Sequence, residues 1–219
     1  MDIFDIIGPI MVGPSSSHTA GAVRIGLVTR RILGAAPVKA QLFLHGSFAA
    51  TGRGHGTDRA LIAGLLGYAP DDPRVPDAFT CAEQAGLDFS FSTITLRDAH
   101  PNSVKILAWK DLAEPPLEIV AASVGGGRIE VRELTGMKLA FTAEQPTLIV
   151  RNQDTPGSIA DVSYILSRLS SNIATFQVTR NARGGEAIMV IETDAPIDPA
   201  MCERIQAMPG ILNVIAINP

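Results

Sequence analysis

The residues of this 219-residue chain best suited to chemistry are histidines set among hydroxyls and glycines. His18 follows Ser15, Ser16 and Ser17 and precedes Thr19, in G-P-S-S-S-H-T. His55 stands in G-R-G-H-G-T-D, between Gly54 and Gly56 and two residues before Thr57. His100 opens H-P-N-S with Asn102 and Ser103. An imidazole titrates near neutral pH, so each of these can take or give a proton under ordinary conditions. Hydroxyls beside the unsatisfied N–H groups of a helix start suit a carboxylate or a phosphate. Of the histidines, His55 is the first candidate for a base, because a tip flanked by glycines can present it to a bound group, and His18 is the second. His45 ends an apolar strand and reads as a structural residue.

Other chemistries find less support in the spacing. A zinc site drawn from His18, His55 and His100 lacks any H-E-x-x-H, H-x-E or C-x-x-C pattern, so no metal site is expected on this chain. Gly8 to Ser15 contains G-x-x-x-x-G, but Pro14 stands where a phosphate-binding loop needs lysine. No serine sits in the G-x-S-x-G turn of a nucleophile elbow.

The elements that must position these residues are legible in part. Gly13 and Pro14 break an extended segment, and Ser17 or Thr19 can cap a helix running to about Leu33. Val38 to Leu44 reads as a buried strand leading into His45. Gly46 to His55 is expected to be a loop that presents His55, with Gly52, Gly54 and Gly56 allowing unusual backbone angles. A helix capped by Thr57 or Asp58 then runs to Leu66. Thr80 to Gly86 is a short helix, and Phe89–Leu96, Val104–Trp109 and Leu117–Val124 are strands. The H-P-N-S segment is expected as the tight turn between the first two of these strands. Gly125-Gly126-Gly127 leads into a strand at 129–134.

The pattern weakens from residue 137 to 146, which is read as a linker between a domain over 1–136 and another over 147–219. The second domain is punctuated as strand, helix, strand, strand, helix, strand. The helix over 157–171 carries Ile159, Val162, Ile165, Leu166 and Leu169 on one stripe, and Arg183-Gly184-Gly185 is a hairpin turn. That order is a ferredoxin-like βαββαβ unit. Its first strand ends at Asn152, and the D-T-P-G turn that follows (Asp154, Pro156, Gly157) places a carboxylate and backbone amides where an amino-acid zwitterion could be met.

With N-Q-D-T-P-G-S-I-A opening its first helix, the C-terminal part resembles an ACT domain, an amino-acid-binding regulatory module. G-P-S-S-S-H-T, G-R-G-H-G-T-D and H-P-N-S in this order, followed by an ACT-like end, resemble the β subunit of bacterial iron–sulfur-dependent L-serine dehydratase along the whole chain. The resemblance implies an α+β/α/β protein: a mixed α/β allosteric-substrate-binding-type domain, also found in some phosphoglycerate dehydrogenases, followed by the ACT domain. It implies deamination of L-serine to pyruvate and ammonia, with both motif histidines near the active site. Ser15, Ser16, Ser17 and Thr57 would contact the substrate's carboxylate or hydroxyl, joined by His100 and Asn102. Cys81 and Cys202 are too few to ligate a four-iron, four-sulfur cluster. The resemblance places that cluster on an α subunit, without which this chain would be inactive, and ACT domains usually pair, so a homodimer is expected. A free-standing amino-acid sensor, or a regulatory arm like that of phosphoglycerate dehydrogenase, is the alternative.

Composition bounds the rest. The chain is 46% hydrophobic and 18% charged, enough for a substantial core. A net charge of −4 and a pI near 5.5 leave no basic footprint for nucleic acid. No stretch has the apolar length of a membrane span and the start lacks a secretory signal, so a cytoplasmic protein is expected. The two distant cysteines are expected to be reduced.

Overall fold

The computed structural model describes residues 10–168 and 172–219. They form two compact units that divide between Thr135 and Gly136. In the first, a single π-turn over Ser16–Ala20 runs without a break into helix α1, Gly21–Leu33. Strand β1 is Lys39–Leu44, helix α2 is Gly46–His55, and helix α3 is Thr57–Leu66. A 3-10 turn at Val75–Asp77 enters α4, Ala78–Gln84. Four strands follow: β2 Asp88–Thr93, β3 Ser103–Trp109, β4 Leu117–Gly125 and β5 Arg128–Leu134. In space the strands run β2-β1-β3-β4-β5. β1 and β2 are parallel, and the other pairs are antiparallel.

Helix α1 forms because its apolar residues recur at helical spacing, and Ala22, Val23, Ile25, Val28 and Ile32 are buried. It packs on β3, β4 and β5 and on α3. It ends where Gly34 takes a left-handed φ of 74° and returns its N–H to the carbonyls of Arg30 and Arg31. The crossing of α1 and α3 is made by two glycines. A Cβ on Gly64 would stand 2.0 Å from the Val23 carbonyl oxygen, and one on Gly26 would stand 2.4 Å from that of Leu61. No larger residue allows the two backbones this close.

Two expectations about this unit are corrected. Gly46–His55 is helix α2 rather than a loop. Gly52 and Gly54 cost helix propensity, roughly 1 kcal/mol each, but a buried Phe48 anchors the segment and the Thr51 hydroxyl bonds back to the Ser47 carbonyl at 2.9 Å. The break comes only at Gly56, with φ 70°, which joins α2 to α3. The H-P-N-S segment, in turn, does not close a hairpin, because β1 lies between β2 and β3. Alternation alone identifies strands but not which strand lies beside which.

In the second unit β6 is Met137–Phe141, β7 Thr147–Gln153, α5 Ser158–Arg168, β8 Ile173–Arg180, β9 Glu186–Thr193, α6 Pro199–Gln206 and β10 Ile211–Ile217. From β7 onward the order is β-α-β-β-α-β, and the sheet runs β10-β7-β9-β8 with every pair antiparallel. Leu148, Val150, Met189 and Ile191 meet Val162, Leu166, Met201 and Ile205 of the two helices in one core. The last part of the expected first helix, 169–171, lies outside the described residues. Residues 137–146 are not a plain linker, since β6 buries Met137 and Phe141. The side chain of Gln177 on β8 holds β6 as a neighbouring strand would. Its Oε1 accepts from Ala140 N at 3.1 Å, and its Nε2 donates to Ala140 O at 2.6 Å. Among the described residues no helix is long and apolar enough to cross a membrane.

Candidate active site

His18 lies inside the π-turn, and Ser15 rather than Ser17 or Thr19 caps it: the Ser15 hydroxyl accepts from His18 N at 3.1 Å. Ser15 Oγ also lies 3.4 Å from His18 Nδ1. The other ring nitrogen, Nε2, is 3.1 Å from Ser47 Oγ and 3.1 Å from Thr51 Oγ1, both on α2. Phe48 presents its ring edgewise to the imidazole, with centroids 5.4 Å apart. His55, the last residue of α2, brings its ring to 5.1 Å from that of His18, and Thr19 Oγ1 holds the His55 carbonyl at 3.3 Å. Two histidines 37 positions apart in sequence thus share one site with three hydroxyls. Burial lowers the pKa of His18 and the nearby His55 lowers it further, so His18 is held toward its neutral form. His55 is exposed.

The remaining motif residues border this site or lie under it. Ser16 and Ser17 are part-buried in the same π-turn. The H-P-N-S segment is fastened to the start of α2: Ser47 N donates to Pro101 O at 2.8 Å and His45 N to Ser103 O at 3.0 Å. At Gly46, with φ 55°, a Cβ would meet Pro101 O at 2.6 Å, so this close approach requires glycine. His100 and Asn102 serve the turn itself, with Asn102 N donating to His100 Nδ1 at 3.1 Å. Thr57 is fully buried, and its hydroxyl has no partner among the described residues. Asp58 and Thr57 do not cap α3, whose N-cap is Gly56. His45 accepts from Leu96 N at 3.3 Å through Nδ1. A cavity of about 570 Å³ flanks α2, lined by Phe48, Phe79, Phe89, Phe91 and Asp58 among others, and includes neither His18 nor His55.

Ser47 and Thr51 are the site residues that the motifs did not reveal. Their signal is an i, i+4 pair on one helix face, visible only once the segment is known to be helical.

In the second unit the Asp154 carboxylate is already engaged. Its Oδ2 accepts from Arg180 Nη1 at 2.9 Å and from Gly184 N at 3.0 Å, tying the β8–β9 turn to the loop after β7. The Gly184 N–H and then the Arg180 guanidinium hold its pKa below the usual carboxylate range. The carboxylate thus secures a hairpin. Asn152 is 2% exposed; its Nδ2 donates to Gln153 O at 2.7 Å and its Oδ1 has no partner among the described residues. Pro156 and Gly157 are exposed, Gly157 with φ 97°.

Among the described residues no group of three or more His, Cys, Asp or Glu is placed to hold a metal ion. The two cysteines, Cys81 on α4 and Cys202 on α6, belong to different units, and burial raises the pKa of the Cys202 thiol. These residues do not fit an iron–sulfur cluster.

Comparison with known proteins agrees with the motif order. Residues 1–86 match the family described as serine dehydratase beta chain. The "Probable L-serine dehydratase, beta chain" of Bacillus subtilis (strain 168) is 41% identical over 215 residues, 98% of this chain and 97% of that protein. The "L-serine dehydratase, beta chain" of Peptoniphilus asaccharolyticus is 39% identical over 203 residues, 92% of this chain and 91% of that one. "L-serine dehydratase TdcG" of Escherichia coli (strain K12) is 33% identical over 158 residues, 61% of this chain but 34% of that longer protein. A sequence that aligns with two dehydratase beta chains over nearly their full lengths belongs to the L-serine dehydratase beta-chain family.

Proposed function

We propose that this chain is the beta subunit of an L-serine dehydratase, an ammonia-lyase that converts L-serine to pyruvate and ammonia, and that it contributes a histidine pair to the active site. The observation that carries the reading is the meeting of His18 and His55 within 5.1 Å, beside the serine-lined π-turn. Loss of water from serine begins at the Cα–H bond, whose proton must go to a base. His55, exposed at the end of α2, is assigned that role, and Ser16 and Ser17 at the π-turn are assigned the substrate carboxylate. His18, held neutral by its surroundings, supports them. Its burial and the nearby His55 make it the poorer proton store of the two.

The rest of the catalyst belongs to a second chain. A 4Fe–4S cluster does not fit the residues of this one, and it is assigned to an alpha subunit; no step is derived through it. The escherichial relative, a longer protein named as the dehydratase and matched over 34% of its length, is consistent with that division. The second unit is assigned as an ACT-type regulatory domain that pairs with a second copy, on the strength of its β-α-β-β-α-β order, and the unpartnered Asn152 Oδ1 marks the end of β7 as its ligand-binding end. We place the enzyme in the cytoplasm. Anaerobic co-expression with the alpha chain tests the proposal: the pair should copurify and release pyruvate from L-serine, and this chain alone should do neither and carry no iron. A copurified, iron-loaded pair without activity would defeat it.

A further inference from the structure

We propose that Thr51 and Ser47 are positioning residues that fix the His18 imidazole as its Nε2–H tautomer and thereby aim its basic nitrogen, Nδ1, at the Ser15 hydroxyl. The argument follows the protons. Thr51 has one hydroxyl proton, and it goes to the Ser47 carbonyl at 2.9 Å. Toward His18, Thr51 Oγ1 can therefore only accept. It lies 3.1 Å from Nε2, so an unprotonated Nε2 would set two lone pairs against each other at hydrogen-bond distance. A protonated Nε2 instead donates to Thr51 Oγ1 and to Ser47 Oγ, also at 3.1 Å. The Ser47 hydroxyl proton is then left for Thr51 Oγ1, 3.4 Å away. In the opposite tautomer Ser47 Oγ could donate to Nε2, but the Thr51 Oγ1 lone pair would still oppose that nitrogen and the Ser15 hydroxyl proton would lose its acceptor in the cluster; the Nε2–H arrangement gives every proton one.

The consequence falls on Ser15. A neutral imidazole protonated at Nε2 has its lone pair on Nδ1, and the group facing Nδ1 is Ser15 Oγ at 3.4 Å. Ser15 Oγ already accepts from His18 N, so its rotamer is set and its proton is directed to Nδ1. Phe48, edge-on to the ring, limits its tilt. His18 thus polarises a serine hydroxyl, and the two histidines are not interchangeable bases. The functional meaning of this division rests on the proposed dehydratase site, whereas the tautomer itself does not.

The test is long-range nitrogen–proton correlation NMR on the full chain labelled with 15N-histidine, above the pH at which imidazoles titrate. The His18 signals are identified by their loss in His18→Asn. The wild type should show Nε2 protonated over Nδ1 by at least about tenfold, the equilibrium worth of one unmade hydrogen bond. Thr51→Val should bring the two forms to within a few-fold of each other, and Thr51→Ser should restore the wild-type ratio. A wild-type His18 protonated at Nδ1, or a Thr51→Val protein with an unchanged ratio and a native amide spectrum, overturns the proposal. If the tautomer behaves as stated but Thr51→Val turns over serine like the wild type in the assembled enzyme, the positioning role falls while the dehydratase reading stands.

Discussion

Replacing Gly64 by alanine should separate the two helices that hold the histidine pair together. On an isolated helix the change would help, because alanine is better than glycine by about 1 kcal/mol. Here the added Cβ would lie 2.0 Å from the Val23 carbonyl oxygen and 2.8 Å from the Gly26 Cα. A carbon and a carbonyl oxygen approach comfortably to about 3.3 Å, so α1 and α3 must part by roughly 1 Å. Neither obstacle is a side chain that could rotate away. Overpacking of this kind costs up to about 3 kcal/mol, which leaves a net loss of about 2 kcal/mol and a fall in Tm of about 4–8 °C. The geometry carries the effect to the site, since α1 continues from the turn that holds His18 and α3 begins two residues after His55. Turnover should therefore fall along with stability. The assay is thermal unfolding followed by circular dichroism. Gly54→Ala is the stability control: nothing lies within 4 Å of its Cβ, so it should leave Tm unchanged or raise it. A Gly64→Ala protein that melts with the wild type would refute the reading of the helix crossing.

Three further outcomes follow from the same structure. His45→Ala removes the acceptor for Leu96 N and should lower stability by about 1 kcal/mol, seen as a shifted urea midpoint, with turnover of the assembled enzyme retained. Asp154, whose folded-state pKa lies below its unfolded value, contributes stability that is present above the unfolded pKa and is lost as pH falls through the folded one. Urea titrations between pH 6 and the acid limb should therefore show a steeper loss in the wild type than in Asp154→Asn; parallel curves would contradict the tether. His18, whose folded pKa is also depressed, acts in the same direction at higher pH, because the unfolded chain takes up its proton first and stability drops as pH falls through the unfolded value near 6.5. Removing the neighbouring charge in His55→Ala should raise the pKa of His18 in an NMR titration while burial keeps it below 6.5; an unmoved value would show that the two rings do not sense each other.

The strands and the long helices were legible because their apolar periods are clear. Ala40, Leu42 and Leu44 alternate on β1, and Val162 and Leu166 are one turn apart on α5. The helix carrying His55 was not legible, because Gly46, Gly52, Gly54 and Gly56 signal a loop by propensity, and only the packing of Phe48 and the contact with Pro101 favour a helix instead. The motif histidines stand out by residue type, by their serine and glycine neighbours and by the family resemblance, while their meeting in space is visible only in the fold. Ser47 and Thr51 were missed for the same reason as the helix, since an i, i+4 pair has no meaning in a loop. The burial of Thr57 was not legible, because a hydroxyl two residues from a histidine says nothing about which way it faces. β6 escaped notice because it is short, and its bonds to Gln177 come from 37 positions away.

The most direct test of the central claim, that this chain supplies the base for the dehydratase, is the turnover of His55→Ala in the assembled two-chain enzyme. Assembly should be normal, since His55 is exposed at the end of α2. The loss should fall on kcat by about 10²–10⁴-fold, the usual worth of a positioned acid–base group. Turnover within a few-fold of wild type at saturating L-serine would contradict the account and move the base to His18 or to the partner chain.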